Sequence, residues 1–148
     1  MRLLFLAVTL AAATTAHAQS IAGKWDATFP MRIRNENGNF TADTGKAELV
    51  IKEVKGDSVF GTWHPTNAPV ASEPRAIKGT FINGRLIFSG APREARMQMN
   101  GETQTISMVT YFDGNVDGDK ITGSMYNRSL DGSIESPPMA WKALRVTQ

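Results

Sequence analysis

From Ile21 to Ile33 the odd positions read Ile, Gly, Trp, Ala, Phe, Met and Ile, while the even positions from Ala22 to Arg34 read Ala, Lys, Asp, Thr, Pro, Arg and Arg. Alternation over that length predicts a long, half-buried β-strand. Pro30 falls on its polar face and predicts a bend or an edge position. The same period of two predicts strands over 47–54, 58–64, 76–82 and 85–89, with Leu49, Ile51, Val59, Trp63, Phe81, Leu86 and Phe88 inward. Further strands are predicted over 95–99, over a run ending at Phe112 with Ile106, Met108 and Phe112 on one face, over 120–127, and over 141–146, whose inward face stays open. Between them, 35–45, 64–74 and 128–138 read as loops, and 55–57, Asn83-Gly84, Asn100-Gly101 and 113–119 as turns.

An apolar–x–Gly–x–apolar pattern recurs in this frame: Ile21-Ala-Gly23-Lys-Trp25, Val59-Phe-Gly61-Thr-Trp63, Ile77-Lys-Gly79-Thr-Phe81 and Ile121-Thr-Gly123-Ser-Met125. Residues i, i+2 and i+4 share a strand face, so each glycine leaves a gap between two apolar groups. Glycines so placed mark sharp bends or close backbone approaches, as at barrel corners. The predicted fold is all-β, a single antiparallel up-and-down β-barrel of eight to ten strands. An up-and-down barrel closes on an even number of strands, so a count of nine demands one adjustment. The long loops 35–45 and 64–74 share one end, and the tight turns 55–57 and 83–84 the other, which predicts a cup with Trp25 at its pinched bottom and Ile33 and Trp63 near its mouth.

Residues 1–18 read as a cleaved signal peptide: Arg2, an apolar run over 3–13, and the small-x-small site Ala16-His17-Ala18. Residues 19–148 are then one domain, periplasmic or secreted, with no second apolar run to span a membrane. The chain has no cysteine, which excludes disulfides and a cysteine-linked lipid, and favours a bacterial origin. Asn39-Phe-Thr41 and Asn127-Arg-Ser129 are sequons in form only on that view. A net charge of +2 without a basic run argues against nucleic acid.

Candidate chemistry is sparse. Asp113, Asn115 and Asp117 match the opening of a calcium loop, but position twelve is Ser124 and supplies no carboxylate. His64 is the one histidine after the signal, too few for zinc. No serine sits in a nucleophile motif and no inward carboxylate pair is predicted, so no catalytic residues, metal or cofactor are assigned and the chain is read as a non-enzyme. The inward apolar set is the remaining candidate, either a filled core or a pocket. Within it Phe29, Ile33, Trp63, Phe81, Phe88, Met108 and Phe112 are the predicted ligand lining, with mouth groups His64, Asn35 and Asn67 available to orient a head group.

Gly23-Lys-Trp25 on the first strand resembles the Gly-x-Trp motif of lipocalins and the wider calycin group. The repeated Gly-x-aromatic copies are similar to small secreted bacterial barrels of lipocalin-like type. The resemblance implies that Gly23 and Trp25 plug the closed end, with Arg145 a candidate to pack on the tryptophan, and that a small apolar or amphipathic ligand occupies the lumen. Avidin-like barrels share this start and length, but the tryptophan-rich later strands expected of a biotin site are missing. The competing expectation is an exported protein–protein module, such as a hydrolase inhibitor, with a solid barrel. Its contacts would come from the 64–74 loop or from outward Phe60, Ile82, Ile87, Val109 and Tyr111.

Overall fold

The structure, a computed structural model, describes residues 20–67 and 73–147; the predicted signal peptide lies outside them. Nine strands follow one another: β1 (Gly23–Arg34), β2 (Phe40–Lys55), β3 (Ser58–Pro65), β4 (Arg75–Ile82), β5 (Arg85–Gly90), β6 (Arg93–Met99), β7 (Glu102–Asp117), β8 (Lys120–Ser129) and β9 (Met139–Arg145). Every pairing is antiparallel, β1 with β9 and β5 with β7 among them, so the sheet closes on itself. The barrel has eight strands. β5 and β6 take successive stretches of the same edge of β7, Tyr111–Asn115 and then Glu102–Met108, and so share one place in the wall. That resolves the odd count.

Two hairpins outrun the barrel, β1–β2 and, beyond Met108, β6–β7. β1 and β2 pair as far as Arg34 and Phe40, although β9 accompanies β1 only from Trp25 to Thr28. The polar stretch 40–45, predicted as loop, is therefore strand; cross-strand pairing with Phe29–Arg34 overrides its weak intrinsic preference. Likewise 113–117, predicted as turn, extends β7, and only Gly118 and Asp119 turn the chain.

Three of the four patterned glycines bring backbones together. A Cβ at Gly61 would land on the Val50 carbonyl oxygen, at Gly79 on that of Ile87, and at Gly123 on that of Asp113. Any side chain there would push neighbouring strands apart, so tight coiling of the wall depends on hydrogen at those sites. Gly23 differs: it is exposed, and its φ of 129° is a conformation side chains rarely adopt.

The narrow end is packed solid. Trp25, Leu49, Ile51, Val59, Leu86, Ile121 and Ala143 are buried there or just above it. Trp25 has no solvent exposure, and its indole N–H donates to the Ile21 carbonyl at 3.0 Å. The Arg145 guanidinium lies 4.2 Å over its ring centre and donates to Ala22 O, Ser20 O and Asp119 Oδ1 at 2.8–3.0 Å. One side chain thereby ties the last strand to the start of the first and to the β7–β8 turn, while covering the tryptophan.

Trp25→Ala should cost about 3–5 kcal/mol, the range for a fully buried aromatic. Arg145→Lys should also destabilise, by about 1–3 kcal/mol, because an ammonium cannot reproduce the fork or its stacking. Urea denaturation checks both; an unchanged midpoint for Arg145→Lys would show that charge alone suffices.

Candidate functional site

Midway up the barrel the inward faces carry aromatic rings. Phe88 and Phe112 stack at 4.4 Å with planes 9° apart, and Trp141 meets both edge-on at 5.8 and 5.5 Å. Trp63 closes the group from above, 4.6 Å from Phe112, 6.2 Å from Trp141 and 5.8 Å from Phe29. Edge-to-face and offset contacts of this kind add to the burial of ring surface. The unread face of β9 is settled here: Met139, Trp141 and Ala143 point inward. The Trp141 indole N–H donates to Asp113 O at 3.3 Å.

Above this layer the barrel opens. A cavity of about 1090 Å³ lies at the loop-rich end. Its apolar walls are Phe29, Trp63, Phe112, Met125 and Met139, with Pro30, Met31 and Pro65 at the side. Phe29 is placed by Gly45, the residue opposite on β2, whose missing side chain leaves room for the ring. Polar groups occupy the next level. The Thr110 hydroxyl donates to Asn127 Oδ1 at 2.7 Å across the β7–β8 pair, and Arg32, Glu73, Arg75 and Arg93 border the opening.

The structure divides the predicted lining. Phe29, Trp63 and Phe112 border the cavity. Phe88 is buried inside the aromatic layer beneath it, shielded from the cavity by Phe112 and Trp63. Phe81 belongs to the narrow end, where its N–H donates to Asp57 O beside the β2–β3 turn, so its assignment to the ligand lining is corrected. Met108 faces inward opposite Arg93 and is buried without bordering the cavity. Ile33 sits half-exposed near the tip of the β1–β2 hairpin, opposite Thr41. The barrel is thus solid below Trp63 and hollow above it, a combination of the two expectations for its interior.

The predicted head-group orienters have other work. Asn67 accepts from Lys46 N–H at 2.6 Å and donates to Thr44 O at 3.0 Å, continuing the edge of β2. Asn35 accepts from Asn39 N–H and shapes the hairpin loop. His64 lies opposite Glu48 on the face turned away from Trp63. The residues of the calcium-like run lie along extended β7, so Asp113, Asn115 and Asp117 are spread along a strand instead of gathered in a loop. Asp113 is ion-paired with Arg85 across the β5–β7 pair, which holds its carboxyl below the usual range. Among the described residues no cluster of three or more His, Cys, Asp or Glu side chains stands ready for a metal.

Arg75 and Arg93 were missed as site residues. Arg75 extends by two residues the inward face of Ile77, Gly79 and Phe81, so strand parity alone marks it. Arg93 was hidden by a change of parity. From Ser89 to Arg93 the chain advances four residues, while β7 advances three from Tyr111 to Met108. The extra residue at Ala91-Pro92 turns the odd positions of β6 inward, a bulge-like switch at a residue with no N–H to pair.

No protein-family model matches the sequence, and no curated protein does. Among solved structures the fold is similar to apo bradavidin2, at TM-score 0.50 and 14% identity over 81% of this chain and 96% of that one. It is also similar to a low-affinity mutant of shwanavidin, at TM-score 0.53 and 13% identity over 88% of this chain and 99% of that one. The chain shares the closed eight-stranded barrel of avidin-like, calycin-type proteins.

In the loop after β8, Asp131 accepts from the Ser129 hydroxyl and from the Ser133 N–H and hydroxyl, which hold its carboxyl at about 2. A depressed carboxyl stabilises the fold above its unfolded value of 3.8, and that contribution is lost as pH falls through about 2. Carbon-detected NMR titration should place the Asp131 midpoint near 2; a midpoint close to 3.8 would show that the serines do not hold it.

Proposed function

We propose that this chain is an exported carrier of lipocalin-like type, which takes a small apolar or amphipathic ligand into the cup above Trp63. The observation that carries this reading is the cavity of about 1090 Å³ on a floor of aromatic and methionine side chains. Open apolar concavities of this order enclose ligands of a few hundred daltons. Methionines such as Met125 and Met139 adapt to irregular apolar shapes, and Trp63 offers a broad flat surface. The likeness to avidin-like barrels supports a binding role through the fold alone.

Export rests on residues 1–18 and their signal-like pattern. Binding without catalysis fits the chemistry of the cup. The titratable groups among its described walls are one carboxylate, Glu73, and three guanidinium groups, Arg32, Arg75 and Arg93, not the paired acid and base that hydrolysis uses. The outer wall gives the partner-binding alternative little support. Phe60 and Ile87 are exposed, but Lys78 and Thr80 face them across the strands. Val109, predicted outward and available, is buried, and Tyr111 is stacked on Tyr126.

Trp63→Ala would remove four ring contacts together with the cup floor, so it confounds binding with packing. Gly90 is the cleaner site. It borders the cavity, and a Cβ there would meet no atom within 4 Å. Native mass spectrometry of protein purified from its own host should show an added mass of a few hundred daltons that is lost on denaturation. Gly90→Phe should place a ring in the cup and abolish that mass without lowering the melting temperature. A bare mass from the unaltered protein, or a full complement on Gly90→Phe, would overturn the proposal; biotin, if it were the cargo, would be read directly from its mass.

A further inference from the structure

Arg75 and Arg93 stand at the polar level of the cavity wall, above its apolar floor. Directly opposed residues on antiparallel strands share a face. Arg75 is opposite Trp63, and Arg93 is opposite Met108; both partners point into the barrel. Both arginines border the cavity. The Ala91 N–H donates to Ala76 O at 3.0 Å, holding the starts of β4 and β6 side by side.

Neither arginine makes an ion pair with a described residue. Of the other guanidinium groups, Arg85 is paired with Asp113, Arg128 with Glu135 and Arg145 with Asp119, while Arg32, Arg34 and Arg96 have no ion pair with a described residue; Arg75 and Arg93 are set apart by their inward positions side by side. Burial, and then the like charge of Arg75, lower the pKa of Arg93. Two cations brought together on an inner face, one of them partly desolvated, are unfavourable until an anion joins them. Glu73 borders the same cavity but forms no ion pair with either.

We propose that Arg75 and Arg93 form an anion-binding subsite on the inner rim of the cup, and that the ligand is an amphiphile with one apolar body and one carboxylate or similar oxyanion. The assignment rests on the cup being a ligand site and specifies its chemistry. The apolar body lies on Trp63, Phe112, Met125 and Met139. The oxyanion stays at the rim, where a planar guanidinium presents paired N–H donors to two oxygens. Thr110 and Asn127 are already bonded to each other and add polarity to the wall at that level. Depth and polarity are thus arranged in one direction, with the tail entering first.

The test is calorimetric titration of the full mature chain with dodecanoate and with 1-dodecanol, both kept below their aggregation concentrations. Dodecanoate should bind at least tenfold more tightly, and added sodium chloride should narrow that margin. In the Arg75→Gln/Arg93→Gln double variant the margin should vanish, with dodecanol affinity unchanged. If both probes bind the unaltered protein equally, the anion subsite is overturned while the carrier reading stands. If inorganic phosphate alone binds as tightly as dodecanoate, the amphiphile is overturned. If neither probe binds and the protein purified from its host is bare, the carrier reading falls and the subsite falls with it. Should the double variant fail to fold, the salt dependence and the dodecanol comparison, both made on the unaltered chain, still decide the matter.

Discussion

Trp63 is the side chain on which the two halves of this molecule meet. Its ring contacts Phe29, Phe88, Phe112 and Trp141, and it is only 8% exposed. Those partners come from β1, β5, β7 and β9, so one indole on β3 joins strands from around the barrel. Below it the interior is continuous apolar packing; above it the same inward faces carry methionine, threonine, asparagine and arginine. A barrel of eight strands is wide enough either to be filled by side chains or to hold one small ligand. Here the aromatic layer divides the barrel between these outcomes, and its upper surface serves as the cavity floor.

The rim depends on a second constraint, the break between β5 and β6. A strand that kept its phase would carry the even positions of β5, Leu86, Phe88 and Gly90, on to Pro92 and Glu94 at the inner face. The inserted residue presents Arg93 there instead, and turns Glu94 away. A single-residue slip exchanges the two faces of everything that follows. In this chain it exchanges an inward acid for an inward base, which decides the sign of charge that the cup offers a ligand.

The sequence was most legible where one face is buried and the other wet. β1, β3, β4 and β5 were predicted to within one or two residues at each end, and Gly61, Gly79 and Gly123 were read as points of close backbone approach because a gap on an otherwise apolar face has few other uses. Legibility fell where neither face is fully buried. The first half of β2 runs through Thr41, Asp43 and Thr44 on an extended hairpin, with no alternation to reveal a strand that exists by pairing with β1. The site was half legible for the same reason. Phe29, Trp63 and Phe112 follow from alternation, whereas Phe81 and Phe88 share their periodicity and differ only in height along the barrel. Height depends on register against neighbouring strands, and alternation alone does not encode it.

The two ends divide stability from binding in a way that Arg145 and the rim arginines make explicit. At the closed end a guanidinium is spent on structure, with an acid, two carbonyls and an indole as partners. Near the rim, Arg75 and Arg93 occupy inward positions of the same kind without such partners. Two like charges side by side on an inner face without a counter-charge are a standing cost, and folding offers no reason to place them together. The wall around them is continuous sheet: Trp63 pairs with both Leu49 and Arg75, and Met108 with both Arg93 and Ser129. The unfavourable charges sit where a ligand can reach them, the arrangement expected when their compensation comes from outside the chain.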